Sequence, residues 1–152
     1  MHPLANHVGR WEGVCAFRMM PTDEFATAPS AATSSAEADG FGWSLRYQWT
    51  HPTDGVQAGT LLVGSPDDDG AVNAAWIDAW HQKPHLGSLT GSIVDGGVHL
   101  EMEYSGWGWT ISLTGDGDEL RMVMNNVIPD GVEGADPGPY VVMDAHWTRQ
   151  PR

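Results

Sequence analysis

The sequence predicts an all-β protein, an up-and-down barrel of about ten antiparallel strands. Three observations carry this. Short runs alternate apolar and polar residues with a period of two, the period of a half-buried strand. Turn-forming clusters separate the runs, drawing on 19 glycines and 10 prolines in 152 residues. The eight tryptophans fall mostly inside the alternating runs, so a row of large side chains lies along one face of each strand.

The elements follow in order. Gly9 to Met19 sets Trp11, Gly13, Cys15 and Phe17 on one face. Pro21 to Pro29 reads as a loop and Ser30 to Ala38 as a weak strand of small residues. Phe41 to Thr50 is a strong strand that lines up Trp43, Leu45, Tyr47 and Trp49. It ends at His51-Pro52-Thr53-Asp54-Gly55, and Gln57 to Gly64 follows. After the turn Ser65 to Gly70, a strand over Ala71 to Trp80 places Trp76, Asp78 and Trp80 on one face. Leu86 to Val94 leads through Asp95-Gly96-Gly97, a hairpin signal, into Val98 to Ser105, which aligns Val98, Leu100, Met102 and Tyr104. Trp107 to Leu113 and Leu120 to Ile128 are the next strands, the latter aligning Leu120, Met122, Met124 and Asn126. An acidic, glycine-rich loop, Pro129 to Pro139, precedes the last strand, Tyr140 to Thr148, with Val141, Met143, Ala145 and Trp147 on one face. A chain of this length is one domain, residues 1–152, on size alone.

The totals narrow the function classes. The formal charge is −13 and Lys83 is the single lysine. Such a surface repels phosphate backbones, so neither nucleic acid nor an anionic membrane is an expected partner. No run reaches the roughly 18 apolar residues of a membrane span. The N-terminus lacks the basic start and apolar stretch of a secretory signal, and there is one cysteine; both lead to the expectation of a cytoplasmic protein. Cys15 lies on the Trp11 face and reads as a small core residue.

Gly9-Arg10-Trp11 at the start of the first strand resembles the Gly-Xaa-Trp signature of lipocalins and other calycins. In that superfamily the tryptophan packs across the closed end of the barrel under a basic residue of the last strand, a role that Arg149 is placed to fill. More specifically, Gly9 to Gly13, Phe17 to Pro21, Asp78 to Gln82 and Met124 to Pro129 resemble a group of uncharacterised bacterial calycin-like proteins. The nitrobindin-like barrels share the Gly-Xaa-Trp-Xaa-Gly opening and hold haem through a histidine near the C-terminus. Here that implies His146. Its alternation with the apolar residues of its strand is expected to point it outward, a departure from the haem-binding pattern. The resemblance also implies that a homodimer is compatible with the fold.

Asp78 is the most conspicuous polar residue. A carboxylate among indoles is costly unless paired, hydrogen-bonded or protonated. It either fixes a polar group of a ligand, or bonds an indole N–H or Arg46, or sits in water near the barrel mouth. Asn126 either reads the polar end of a ligand or satisfies loop backbone at Pro129. The aromatic residues Trp43, Tyr47, Trp49, Trp76, Trp80, Tyr104 and Trp109 would line a pocket, with Met102, Met122, Met124 and Met143 as an adaptable wall. The same side chains are also large enough to fill a small barrel. His81, directly after a strand, is placed at the rim beside Asp78. His81 and His85 have a metal-like spacing, but Pro84 breaks any helix between them. The carboxylates of Asp67-Asp68-Asp69 and Asp116-Gly117-Asp118 read as hairpin turns rather than calcium loops.

No nucleophile elbow, phosphate loop or dinucleotide fingerprint is present. The expectation is a binding protein for a small, largely apolar molecule, oriented by Asp78, Tyr47 and Asn126. The alternatives are haem binding and an enzyme using Asp78 with His81 as an acid–base pair.

Overall fold

In a computed structural model describing residues 1–152, ten antiparallel strands close into a barrel in which every strand pairs with its sequence neighbours and the last pairs with the first. They are β1 (Gly9–Phe17), β2 (Ala26–Glu37), β3 (Gly42–His51), β4 (Gly55–Gly64), β5 (Ala71–Asp78), β6 (Gln82–Val94), β7 (Gly97–Tyr104), β8 (Trp107–Asp116), β9 (Glu119–Ile128) and β10 (Gly138–Arg149). This is the up-and-down barrel expected, consistent with a calycin-like architecture. Closure removes the two free edge strands of an open sheet. No helix is long and apolar enough to cross a membrane.

Burial follows the alternation read from the sequence. Along β4 and β5 every second residue is buried. A ten-stranded barrel is wider than the eight-stranded kind that ordinary side chains fill, and here the extra width is taken up by tryptophan. Trp11, Trp43, Trp49, Trp76 and Trp147 are the largest fully buried side chains, and they join one core of 28 buried residues. Each contributes roughly 1.5–3 kcal/mol relative to exposure. β2 makes room for them with Ala28, Ser30, Ala32 and Ser34. Of these, Ser30 accepts the indole N–H of Trp147 at 2.9 Å and Ser34 that of Trp11 at 2.8 Å.

Several strand boundaries differ from the sequence reading. β2 starts at Ala26, inside the expected loop. Pairing with β3 begins only at Ser30, so Pro29 lies where β2 has a neighbour on one side, and its missing N–H costs no bond on the other. β6 likewise starts early, at Gln82, because Gln82 to Leu89 has β5 alone as a neighbour and tolerates Pro84. β5 stops at Asp78 rather than Trp80. A bulge between Val141 and Met143 breaks the parity of β10. Met143, Ala145 and Trp147 keep the inner face, while Val142 rather than Val141 is buried.

The two ends of the barrel are built differently. One gathers the N-terminal segment and the turns at 38–41, 65–70, 95–96 and 117–118, and it is sealed. Leu4 is fully buried there. The His2 ring stacks on Trp43 and the His7 ring on Trp11, both at 6.2 Å. The Arg149 guanidinium lies 4.4 Å over the Trp11 ring, as the resemblance implies, and donates to the carbonyls of Asn6 and Val8. Gly115 admits the His7 ring, since a Cβ there would fall 2.4 Å from it. The other end, the mouth, gathers the connections at 18–25, 52–54, 79–81, 105–106 and 129–137.

Candidate functional site at the barrel mouth

Asp78 is buried as the last residue of β5. Its Oδ2 accepts the hydroxyl of Tyr47, and its Oδ1 accepts the backbone N–H groups of Trp80 at 2.7 Å and His81 at 2.8 Å. It bonds neither Arg46 nor an indole directly. Instead the Trp76 indole donates to the Tyr47 oxygen at 2.9 Å. Tyr47 and Asp78 sit on β3 and β5, with β4 between them, and both pair with Gly59. The glycine is what permits the bond: a Cβ there would lie 2.2 Å from the Tyr47 ring and hydroxyl. A glycine inside a strand is the sequence signal for such a close approach.

Burial alone would push the Asp78 carboxyl upward. The His81 ring, the Tyr47 hydroxyl and the His81 N–H together outweigh that, and its pKa lies below the ordinary 3.8. Tyr47 is held well above 10, first by burial and then by the carboxylate beside it. Asp78 is therefore an ionised buried carboxylate whose lone pairs order a turn. By accepting two successive N–H groups it reverses the chain after β5 and aims two side chains at the mouth.

Those side chains are Trp80 and His81. Trp80 does not continue the strand; it folds over the rim and stacks on His51 at 4.3 Å, and His51 in turn packs on Phe17. His81 turns inward. Its ring stacks on Trp49 at 5.8 Å and lies 5.2 Å from Trp109 and 6.4 Å from Trp76. Its Nδ1 stands 3.4 Å from Asp78 Oδ1 without the alignment of a hydrogen bond. The structure thus brings together Tyr47, Trp49, Trp76, Asp78, His81 and Trp109 from three strands and one turn.

Beside this group a cleft of about 1000 Å³ opens between the β7–β8 turn, the β1–β2 connection and the loop before β10. Met19, Met20, Trp107 and Ile128 supply apolar walls, and Glu133 and Asp136 stand on its acidic side. Tyr104 and Asn126 also line it, but Asn126 does not cap loop backbone at Pro129. It accepts the Tyr104 hydroxyl and donates to Tyr140 at 3.1 Å, and Tyr140 donates to the Met19 carbonyl at 2.8 Å. Burial and then the neighbouring Tyr140 raise the Tyr104 phenol above 10.

The remaining candidates lie elsewhere. Trp43 belongs to the sealed end, where its indole donates to the His7 carbonyl at 3.1 Å. Met122, Met124 and Met143 are fully buried in the packed core, and Met102 is packed against it. His146 projects outward and pairs with Glu119 at 2.8 Å, more than half exposed. It does not fit a haem ligand reaching into the barrel. Asp67 accepts the N–H groups of Asp69 and Ala71, which makes it a turn residue. Burial raises the Cys15 thiol to about 12.

Met19, Met20, Trp107, Ile128 and Tyr140 were not singled out as site residues by sequence. They sit at strand ends and in loops, where alternation carries no signal. Neither the comparison with protein-family models nor that with curated proteins returns a match.

Proposed function

We propose that this chain is a calycin-like binding protein that takes a small, largely apolar molecule at the mouth of the barrel rather than deep inside it. The observation that carries this reading is the mouth cleft, with Met19 and Met20 exposed at 66% and 56% beside Trp107, Ile128 and the tyrosines. Exposed methionines next to aromatic walls form the kind of adaptable apolar surface that admits ligands. The Tyr104–Asn126–Tyr140 chain supplies the few polar groups that orient a guest. The interior proper is occupied by tryptophan and methionine side chains.

A neutral apolar fluorophore, N-phenyl-1-naphthylamine, tests this. Met20→Asp and Trp107→Ala are expected to weaken its binding at least tenfold with little change in melting temperature. Trp43→Ala, at the far end, is expected to lower stability and leave affinity unchanged in the folded fraction. Equal affinity in all three variants would remove the cleft from the reading.

A further inference from the structure

The buried indoles divide into two groups. Trp11, Trp43, Trp76 and Trp147 each donate to an oxygen of the protein. The N–H groups of Trp49 and Trp109 have no partner, although these residues are only 2% and 7% exposed. Two imidazole nitrogens at the sealed end are also unpaired, but His7 Nδ1 can remain a bare acceptor, and His2 Nε2, which carries the ring proton because Nδ1 accepts the Leu4 N–H, has the Gly64 backbone beside it. An indole N–H is a donor with no alternative, and leaving it buried and unpaired is costly. Both unpaired donors flank the same side chain, the imidazole of His81.

That side chain is held differently from its surroundings. Trp49, Trp76 and Trp109 lie on paired strands, whereas His81 lies on the connection between β5 and β6. Asp78 grips its backbone N–H at 2.8 Å, so rotation of the side chain alone would free the ring and leave the turn intact. The space it would vacate is bounded by three indoles, with Asp78 Oδ1 at one edge. One of its walls, Trp109, pairs across β8 and β9 with Asn126, which lines the cleft.

We propose that Trp49, Trp76 and Trp109 form a box for a planar nitrogen heteroaromatic ring, and that the His81 imidazole is its built-in occupant, displaced when such a ring enters. The chemistry defines the guest. Flat faces stack on the indoles, a ring nitrogen accepts from Trp49 or Trp109, and a ring N–H donates to Asp78. Benzimidazole meets all three requirements at a size larger than imidazole. This inference rests on the reading of the mouth as the binding end and names the group that would enter deepest.

The test is titration of the wild type and His81→Gly with benzimidazole, followed by calorimetry and by the indole N–H resonances. His81→Gly is expected to bind at least tenfold more tightly than the wild type. The N–H signal of Trp49 or Trp109, whichever donates to the guest, should move downfield while those of Trp11 and Trp147 stay in place. Naphthalene, of similar shape without nitrogen, should bind the variant at least tenfold more weakly than benzimidazole. Equal affinity of variant and wild type, or unmoved Trp49 and Trp109 signals, would overturn the box, and equal affinity for naphthalene would overturn the heteroaromatic assignment. If His81→Gly does not fold, the wild type at saturating benzimidazole decides: a shift of the Trp49 or Trp109 signal supports the box and the absence of both overturns it. Phenylnaphthylamine binding reports separately on the cleft, since loss of the box leaves its dependence on Met20 unchanged.

Discussion

The sealed end and the mouth of this barrel use the same materials, tryptophan and histidine, to opposite effect. At the sealed end the indoles of Trp11 and Trp43 find oxygens, two imidazoles stack over them, and Arg149 ties the N-terminal segment to the last strand. At the mouth two indole donors are unpaired around one imidazole carried on a turn, beside an apolar cleft. The contrast teaches that a buried aromatic cluster is not in itself a site. What separates structural packing from a candidate site is whether its indole donors are satisfied and whether one of its members can leave.

The largest expected effect is at the sealed end. Trp11→Ala removes a fully buried indole and the platform under Arg149, and should cost about 3–5 kcal/mol in urea unfolding without altering phenylnaphthylamine affinity in the folded fraction. A loss below about 1 kcal/mol would mean that this end is not the stabilising one. Next is the strut behind the mouth. Gly59→Ala drives a methyl group into the Tyr47 ring, and about 1–3 kcal/mol is expected. The Tyr47–Asp78 bond should break, seen as loss of the downfield hydroxyl proton of Tyr47. A variant that retains this signal would show that the ring reaches Asp78 by another route.

Acid should distinguish the two ends. Burial lowers the pKa of His2, and burial with nearby Arg149 lowers that of His7, below 6.5. The unfolded chain then binds protons more readily than the folded one. Their contribution is fully present above pH 6.5 and is lost as the pH falls through 6.5 toward the folded values. Asp78, also depressed, contributes above 3.8 and loses that contribution only as the pH falls through its lower folded value. Indole signals of Trp11 and Trp43 should therefore broaden on acidification before that of Trp76. The reverse order would contradict the assignment of the ends. The smallest effect belongs to neither end: His146→Ala breaks an exposed pair with Glu119 and should change stability by less than about 0.5 kcal/mol.

Much of this was legible in the chain. The strand count, the closed meander, the inward rows of Trp43 to Trp49 and Leu120 to Met124, and the outward turn of His146 follow from a period of two and the spacing of turn residues. The stacking of Arg149 on Trp11 followed from the resemblance of the opening motif. Asp78 stood out because a carboxylate in an aromatic row needs a partner. Its partner was hidden, since Tyr47 reaches it across Gly59 from two strands away, and alternation records which face a residue occupies but not what lies opposite. The chain alone thus determined the container, because side-chain alternation is a local property of each strand. Only the tertiary structure decided that the container is filled, that the opening lies among loop residues, and that the His81 ring lies among Trp49, Trp76 and Trp109. Those depend on which distant side chains meet once register and closure bring ten strands together.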